Sequence, residues 1–353
     1  MRQFGVAVIV FSLVFATRPV AARRSTLDIY FIDVDGGQST LIVTPAGETL
    51  LVDTGFPSNG TFASIPGDPK SARDANRILA AARAAGVTRI DNLLTTHFHA
   101  DHDGGVVELS QLMPILTFID HESPDPQAEA GVPGTMAAFE RYAAVRAKGR
   151  HLVPKPGERI PLKGVDAVVV SSAGATLPKP LAGAGGANPS CAPAASEAQE
   201  KTENPRSTGF LLRFGRFRFL DVGDLSGAPL FNLFCPNNMI GTADVYLVAH
   251  HGGVDAAVPA TFAALSPRVA IVNNGTNKGG VPELLAVLRE ARGLEDAWQL
   301  HRSPAPGAPN AAEARIANLD DSSAYWIKVS AKEDGSFAVT NGRTGVTKNY
   351  PRR

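Results

Sequence analysis

The stretch TTHFHADHDGG, residues 95–105, constrains this chain more than any other feature. It follows an apolar run, IDNLL, that predicts a buried strand. Alternate side chains of an extended chain point the same way, so His97 and His99 are expected to face one metal ion. Asp101 and His102 would reach a second ion as the chain turns, and imidazole and carboxylate groups suit zinc-like ions. Only eight histidines occur in the chain, so their clustering favours a metal site over a polar loop.

The overall composition indicates a globular chain without a strong charge preference. Its 353 residues allow one large domain or two ordinary ones, and 44% of them are hydrophobic, enough for a substantial core. Lys plus Arg and Asp plus Glu both number 34. The net charge therefore gives no support for nucleic acid or a membrane surface as a partner.

Residues 1–22 have the pattern of a signal peptide. Arg2 precedes an apolar run, Phe4–Ala16, and Val20 and Ala22 suit the −3 and −1 positions of a cleavage site. The run is shorter than the ~20 residues of a membrane-spanning helix. We therefore expect an exported protein, periplasmic or secreted, with no stable membrane partner after cleavage. An uncleaved membrane anchor is the alternative.

The two cysteines, Cys191 and Cys235, take their meaning from export. In an oxidising compartment they can form a disulfide. Sequence spacing does not decide between a disulfide and two free thiols, because geometry sets bridging. They lack the C-x-x-C spacing of zinc or redox sites.

The rest of the chain predicts strands and helices in alternation. An antiparallel meander is expected over Leu27–Asp53, then a helix with Ser71 and Asp74 as a capping box and Gly86 after its last turn. Thr135 is expected to cap a second helix. Further strands are predicted in IDNLLTTH, MPILTFID, VDAVVVSS, the two runs around Gly215, ADVYLVAHH, RVAIVNNG, DAWQLH and SSAYWIKVS, and further helices over 259–265 and 282–292.

Residues 172–203 differ from their surroundings. Ala, Gly, Pro and Ser dominate, and large apolar side chains are almost absent. Such a composition cannot build a core, so we expect a surface insertion, partly disordered, within one domain covering 27–345. The insertion either is inert or forms a lid over the site.

The H-x-H-x-D-H motif resembles that of the metallo-β-lactamase-fold hydrolases. The resemblance implies an α/β fold: a four-layer αββα sandwich with mixed sheets and a dinuclear site on one edge. It also implies ligands from distant strand ends, which match Asp224 in FLDVGD, with Asp221 as a rival, and His251 rather than His250 in LVAHHGG. Asp53 in LLVDTG would orient the histidine loop. The implied ligand set is His97, His99, Asp101, His102, Asp224 and His251.

One departure separates this chain from the zinc β-lactamases. Their first metal has a third histidine, and neither His121 nor His151 has its setting. Instead, ENPRSTGFLLRFGRFRFLDVGD resembles the stand-alone ComEC-type (competence protein) domains, whose pattern Asn204 and Ser207 fill in supporting positions. FIDVDGGQSTLIVTPAGETLLVDTG resembles the opening of that group, with departures at Asp35 and residues 38–39, and the late G-H-P of that group reads G-V-P here.

The resemblance implies hydrolysis with two divalent ions, zinc or alternatively manganese, through a metal-bound hydroxide. We expect Asp101 and His250 to be catalytic, and a phosphodiester, in nucleic acid or a smaller molecule, to be the substrate. Net charge does not support avid nucleic-acid binding. The alternatives are hydrolysis of a lactone, thioester or β-lactam, or a degenerate module that binds metal only for stability. The oligomeric state is left open.

Overall fold

Two mixed sheets facing each other form the centre of the molecule. The structure is a computed structural model that describes residues 1, 24–57, 71–191 and 201–353. The predicted signal peptide, apart from Met1, lies outside the described residues. Within the described part of the chain, no helix is both long enough and apolar enough to span a bilayer.

Among the described residues, the first sheet has nine strands, in the order β18-β17-β16-β1-β2-β3-β4-β5-β6. They are β1 Leu27–Phe31, β2 Thr40–Val43, β3 Thr49–Val52, β4 Ile90–Leu94, β5 Ile115–Ile119, β6 Arg150–Leu152, β16 Ile327–Ala331, β17 Phe337–Asn341 and β18 Thr347–Tyr350. The predicted meander is confirmed as the antiparallel strands β1 to β3, and β3 to β6 run parallel. The sheet continues to Tyr350, past the predicted boundary at 345.

The second sheet repeats this plan of antiparallel strands followed by parallel ones. Its order is β15-β14-β13-β12-β11-β10-β8-β7, with β9 paired to β8. The strands are β7 Arg159–Ile160, β8 Asp166–Ser172, β9 Ala175–Thr176, β10 Gly209–Phe214, β11 Phe217–Asp221, β12 Val245–Leu247, β13 Val269–Val272, β14 Asp296–His301 and β15 Ile316–Asn318. Strands β11 to β15 are parallel.

Helices cover the outer face of each sheet and complete four layers. They are α1 Arg73–Ala84, α2 Ala100–Asp103, α3 Val106–Leu112, α4 Ala128–Gly131, α5 Thr135–Arg146, α6 Gly227–Phe234, α7 Pro259–Leu265 and α8 Pro282–Glu290. One core lies between the sheets, a second under α1, α3 and α5, and a third under α6, α7 and α8. The predicted αββα fold class is confirmed.

Strand β1 shows why the sequence folds into layers. Ile29 and Phe31 enter the core between the sheets, whereas Tyr30 and Ile32 enter the core beneath the helices. A strand buried on both faces has a nearly continuous apolar sequence, as LDIYFI does. The same double burial holds the strand ends that carry the polar residues described below.

Both predicted N-terminal helix caps are wrong, because each polar side chain contacts the chain before the helix instead. Helix α1 has Ala72 at its N-cap, and Asp74 is turned inward, where its carboxylate accepts from the Phe56 backbone N–H at 2.8 Å. Thr135 is the first residue of α5, and its hydroxyl donates to the Val132 carbonyl. In both helices the polar side chain forms a hydrogen bond with the backbone of the preceding chain and does not cap the helix.

The predicted end of α1 is confirmed. Gly86 has a left-handed φ of +67°, and its N–H donates to Arg83 while that of Val87 donates to Ala82. This pair of bonds satisfies carbonyls that the helix itself leaves without donors.

The predicted insertion, residues 172–203, is described over 172–191 and 201–203. Cys191 and Cys235 form a disulfide, with Cα atoms 5.8 Å apart. Strand β9 lies within this stretch, and Asn188 is buried, donating to the Phe234 and Ala260 carbonyls. The described part of the stretch is therefore attached to the helices beside the second sheet.

Candidate metal centre

Strand ends from both sheets meet at one edge of the sandwich. Asp53 follows β3, and the histidine stretch follows β4, the parallel neighbour of β3. Asp224 follows β11, and His250 and His251 follow β12, the parallel neighbour of β11. The carboxyl ends of parallel strands share an edge, so residues far apart in sequence converge there.

Four of the predicted ligands form one compact group. The nearest ligand atoms of Asp101, His102, Asp224 and His251 all lie within 4.8 Å of one another, and all four residues are buried. Nε2 of His251 is 3.1 Å from Oδ2 of Asp224 and 3.3 Å from Oδ2 of Asp101. Nε2 of His102 is 3.2 Å from the same Asp224 oxygen. Two imidazoles and two carboxylates at this spacing suit one divalent cation.

The other two predicted ligands lie beside this group. Nε2 of His97 and Nδ1 of His99 are 2.9 Å apart, so both rings turn a nitrogen to the same point. Oδ2 of Asp224 is 4.0 Å from Nε2 of His97. Asp224, itself a member of the four-residue group, is therefore also within 4.0 Å of the pair.

The donor set fits two divalent ions. Oδ1 of Asp224 is buried and has no hydrogen-bond partner among the described residues. Burying a carboxylate oxygen without a partner costs free energy unless that oxygen binds a cation. Neutral imidazoles and carboxylates are the ligands that zinc-like ions take, and Asp224 can serve both ions.

Asp53 fixes the orientation of His102. Its Oδ2 lies 2.7 Å from Nδ1 of His102, and it accepts from the backbone N–H and the hydroxyl of Thr96, each at 2.7 Å. Burial alone would lower the pKa of His102, but the carboxylates of Asp224, Asp101 and Asp53 raise it well above its usual range. With Nδ1 occupied by Asp53, Nε2 faces the four-residue group.

Asp221, the rival of Asp224, points elsewhere. Both its oxygens accept from Nε2 of Gln38 at 3.1 Å, and Oδ1 accepts from the Gly223 N–H at 3.0 Å. Burial raises the pKa of Asp221 to about 7. Asp224, not Asp221, therefore belongs to the group of candidate ligands.

His250 and His251 diverge because both have left-handed backbone, with φ of 49° and 55°. His251 joins the four-residue group, whereas the side chain of His250 is 28% exposed and lies beside it. Nδ1 of His250 is 2.7 Å from Asp255, and Nε2 is 3.6 Å from Oδ2 of Asp224. Burial lowers the pKa of His250, but Asp224 and Asp255 outweigh it and raise the pKa to about 9.

The remaining three histidines each lie next to a carboxylate outside the group of candidate ligands. His121 lies 3.1 Å from Glu203, His151 lies 2.8 Å from Asp120, and His301 lies 2.6 Å from Asp33. All eight histidines of the chain are among the described residues. None of these three contributes a third imidazole to the His97–His99 pair.

The two supporting residues predicted near the pair contact the histidines from the side. Ser207 Oγ lies 3.4 Å from Nδ1 of His97, and Asn204 Nδ2 lies 3.4 Å from Nε2 of His250. The short 3-10 turn Asn204–Arg206 places both. Ser207 therefore contacts the nitrogen of His97 that faces away from His99.

Lys278 is a site residue that the sequence did not reveal. It follows β13 in the loop NNGTNKGG, and its ammonium donates to Oδ2 of Asp101. Burial would raise the pKa of Asp101, but Lys278 and His102 hold that pKa well below its usual range. A lone lysine in a Gly- and Asn-rich loop carries no local signal of such a role.

Comparison with known proteins gives one family. Residues 32–176, less than half of the chain, match the family described as the Metallo-beta-lactamase superfamily. The chain is also similar to an atrochrysone carboxyl ACP thioesterase of Aspergillus fumigatus, at 32% identity over 114 residues. That similarity covers 31% of this chain and 31% of the thioesterase, so less than a third of the relative is represented.

Solved structures show weaker likeness. YhfI of Bacillus subtilis, a metallo-β-lactamase-fold protein, has a TM-score of 0.43 and 10% identity, covering 77% of this chain and 95% of its own. CmlA of Streptomyces venezuelae, a diiron β-hydroxylase, has a TM-score of 0.42 and 15% identity, covering 76% and 51%. A diphosphatase of the PhnP family has a TM-score of 0.37 and 15% identity, covering 82% and 83%. TM-scores this low support no inference about activity.

Proposed function

We propose that this chain is a member of the metallo-β-lactamase superfamily and a metal-dependent hydrolase that acts on phosphodiesters. The match over residues 32–176 and the four-layer fold support the membership. One observation carries the proposal: the buried group of Asp101, His102, Asp224 and His251 lies beside the His97–His99 pair, with Asp224 between them. We take two divalent ions, zinc or manganese, as the cofactors.

The chain's own residues have separate tasks in this reaction. When bound, two such ions supply Lewis acidity and activate water. With such ions bound, Asp224 would be a ligand to both, and Asp101 would orient the attacking water. His250, half-buried and with a raised pKa, is placed to donate a proton to the leaving group. Nδ2 of Asn204 contacts Nε2 of His250 and keeps the ring directed at the site.

The absence of a third histidine favours a phosphodiester. The His97–His99 pair has fewer protein ligands than a three-histidine site, which leaves more positions for substrate oxygens. A phosphodiester presents two non-bridging oxygens, so it can occupy both metal positions at once. The likeness of Asn204 and Ser207 to the ComEC-type pattern supports the same choice, and we propose that subgroup as the nearest relation.

Thioester hydrolysis is the second candidate. It rests on the similarity to the atrochrysone carboxyl ACP thioesterase, which is confined to 114 residues. The same two-ion chemistry can attack a thioester carbonyl, because activated water is a general nucleophile. The ligand set therefore permits a thioester as well, although the two-histidine position favours a phosphodiester.

Export is part of the proposal. The signal-peptide pattern of residues 1–22 and the Cys191–Cys235 disulfide support it together, since disulfides persist mainly in oxidising compartments. Fractionation of cells that express the full chain would test it. Mature protein that begins near Arg23 in the exported fraction is the expected result, and full-length protein retained inside the cell contradicts it.

Metal analysis and four substrates test the function. The purified protein is assayed for zinc and manganese and for turnover of bis-p-nitrophenyl phosphate, an acyl thioester, a lactone and nitrocefin. At saturating metal concentration we expect two ions per chain and preferred cleavage of the phosphodiester, and chelation should abolish both. Turnover of the thioester alone would select the second candidate. A protein with no bound metal and no turnover of any of the four substrates would refute the hydrolase.

A further inference from the structure

Lys278 contacts the oxygen that Asp101 offers to the metal site. Oδ2 of Asp101 accepts from the ammonium, and the same oxygen is 3.3 Å from Nε2 of His251 and 3.4 Å from Nε2 of His102. Oδ2 thus faces two candidate ligands and a lysine together. A divalent ion placed among these ligands would have the ammonium as its neighbour.

The loop that carries Lys278 is held in place by the opposite sheet. The Thr276 N–H donates to Oδ1 of Asp35 at 2.7 Å, and Arg73 lies 3.4 Å from Oδ2 of Asp35. A Cβ added to Gly275 would lie 2.2 Å from the Asp35 carbonyl carbon, so the two loops touch through their backbones. The backbone of the Lys278 loop is therefore held in place beside the site.

Asp35 holds the Lys278 loop through the N–H of Thr276, although 241 residues separate Asp35 from Thr276. Asp35 has a left-handed φ of 54°, a conformation that an aspartate tolerates better than most residues. It is also one of the positions where this chain departs from the ComEC-type pattern. The departure has a physical role here, because its carboxylate anchors the loop of Lys278.

We propose that Lys278 competes with the second metal ion for Oδ2 of Asp101, so that the second ion binds much more weakly than the first. The inference rests on the two-ion site of the proposed function. An ammonium and a divalent cation on one oxygen repel each other, and the surroundings are too buried for water to screen that repulsion fully. The second ion therefore binds only as Lys278 moves away.

An anionic substrate relieves this competition. The side chain of Lys278 is 42% exposed, so the ammonium can turn outward without leaving the mouth of the site. A phosphodiester bound there pairs with the displaced ammonium and with the second ion. Substrate and second ion then strengthen each other's binding, as reciprocal linkage requires. The device selects for substrates that carry negative charge next to the scissile bond.

Zinc titration of the wild type and four variants tests the competition between Lys278 and the second ion. The wild type, Lys278→Met, Lys278→Arg and Lys348→Met are titrated with Zn²⁺ against a chelator of known affinity. Lys348 is a matched control, because its ammonium also contacts a buried carboxylate, that of Asp296, and its side chain is 45% exposed. Asp35→Ala is added as a variant that loosens the loop and keeps the lysine.

The weaker of the two dissociation constants is the readout. We expect Lys278→Met to tighten it by at least about tenfold, with Lys278→Arg and Lys348→Met close to wild type and Asp35→Ala changed in the same direction as Lys278→Met. If the weaker zinc site of Lys278→Met binds no more tightly than that of the wild type, the inference is overturned while the two-ion hydrolase stands. A wild type that binds no zinc at all overturns the proposed function, and this inference with it.

Discussion

Nδ1 of His102 lies 2.7 Å from Oδ2 of Asp53, and neither side chain has any exposed surface. Asp53→Asn removes the charge that holds the His102 ring with Nε2 toward the other ligands. Loss of such a supporting carboxylate typically costs about 10- to 100-fold in metal affinity. We therefore expect zinc binding to weaken by that amount, measured by chelator competition, with the circular dichroism spectrum unchanged.

Asp103 provides the control for this variant. It neighbours His102 and is buried, and burial raises the pKa of Asp103 well above its usual range. Neither Asp103 oxygen has a hydrogen-bond partner among the described residues, so Asp103→Asn should leave zinc affinity at the wild-type value. Equal losses in Asp53→Asn and Asp103→Asn would show that the effect is not specific to the His102 contact.

Asp224→Ala should abolish hydrolysis while the fold persists. The substitution removes the only carboxylate that lies within 4.0 Å of His97, His102 and His251 in the described part of the chain. We expect turnover of bis-p-nitrophenyl phosphate to fall by about a thousandfold or more, since both ions lose a shared ligand. Activity within a few-fold of wild type would contradict the shared position of Asp224.

Asp221→Asn should change stability with pH rather than activity. The pKa of Asp221 is about 7 in the folded chain, above the value of 3.8 expected when unfolded, so the folded state holds a proton that the unfolded state loses. This contribution to stability is complete below pH 4 and is lost as pH rises through 7. Relative to wild type, the variant should gain about 3 kcal/mol between pH 5 and pH 8.

Urea unfolding of both metal-free proteins at the two pH values measures this difference. Metal-free samples are needed because ions bound to nearby residues would add their own pH dependence. A difference between variant and wild type that stays constant from pH 5 to pH 8 would exclude a raised pKa at Asp221.

Removing the disulfide should destabilise the chain without disturbing the metal centre. Cys191 and Cys235 close a loop with a sequence separation of 44 residues, and opening it restores entropy to the unfolded state. The chain-entropy relation gives about 4 kcal/mol as the largest loss of unfolding free energy for the double serine variant. Denaturant unfolding measures the loss, and zinc stoichiometry should stay at the wild-type value.

The sequence predicted individual strands such as β1 because their apolar patterns are local, whereas the four layers were expected from the resemblance carried by the H-x-H-x-D-H motif. The H-x-H-x-D-H stretch was equally local, since one strand end supplies four candidate ligands. Asp224 and His251 could be assigned only by resemblance, because their approach to His102 depends on how the two sheets face each other.

Long-range contacts account for what the sequence did not predict. Lys278 meets Asp101 across 177 residues, and Asp35, which holds the Lys278 loop through the Thr276 N–H, lies on another loop. Ser71 and Asp74 fit a capping box, yet the Asp74 carboxylate accepts from the Phe56 N–H instead, because Phe56 lies beside the start of the helix. Such choices depend on tertiary contacts that outweigh local preference.

Strand β1 pairs with β2 on one side and with β16 on the other, and β16 lies roughly 300 residues later. On a ribosome that adds about 5–20 residues per second, β1 waits on the order of 15–60 seconds for this partner. An apolar strand with an open edge is prone to pair wrongly during such a wait. A chaperone that covers Leu27–Phe31 until the last strands emerge would therefore raise the yield of native protein.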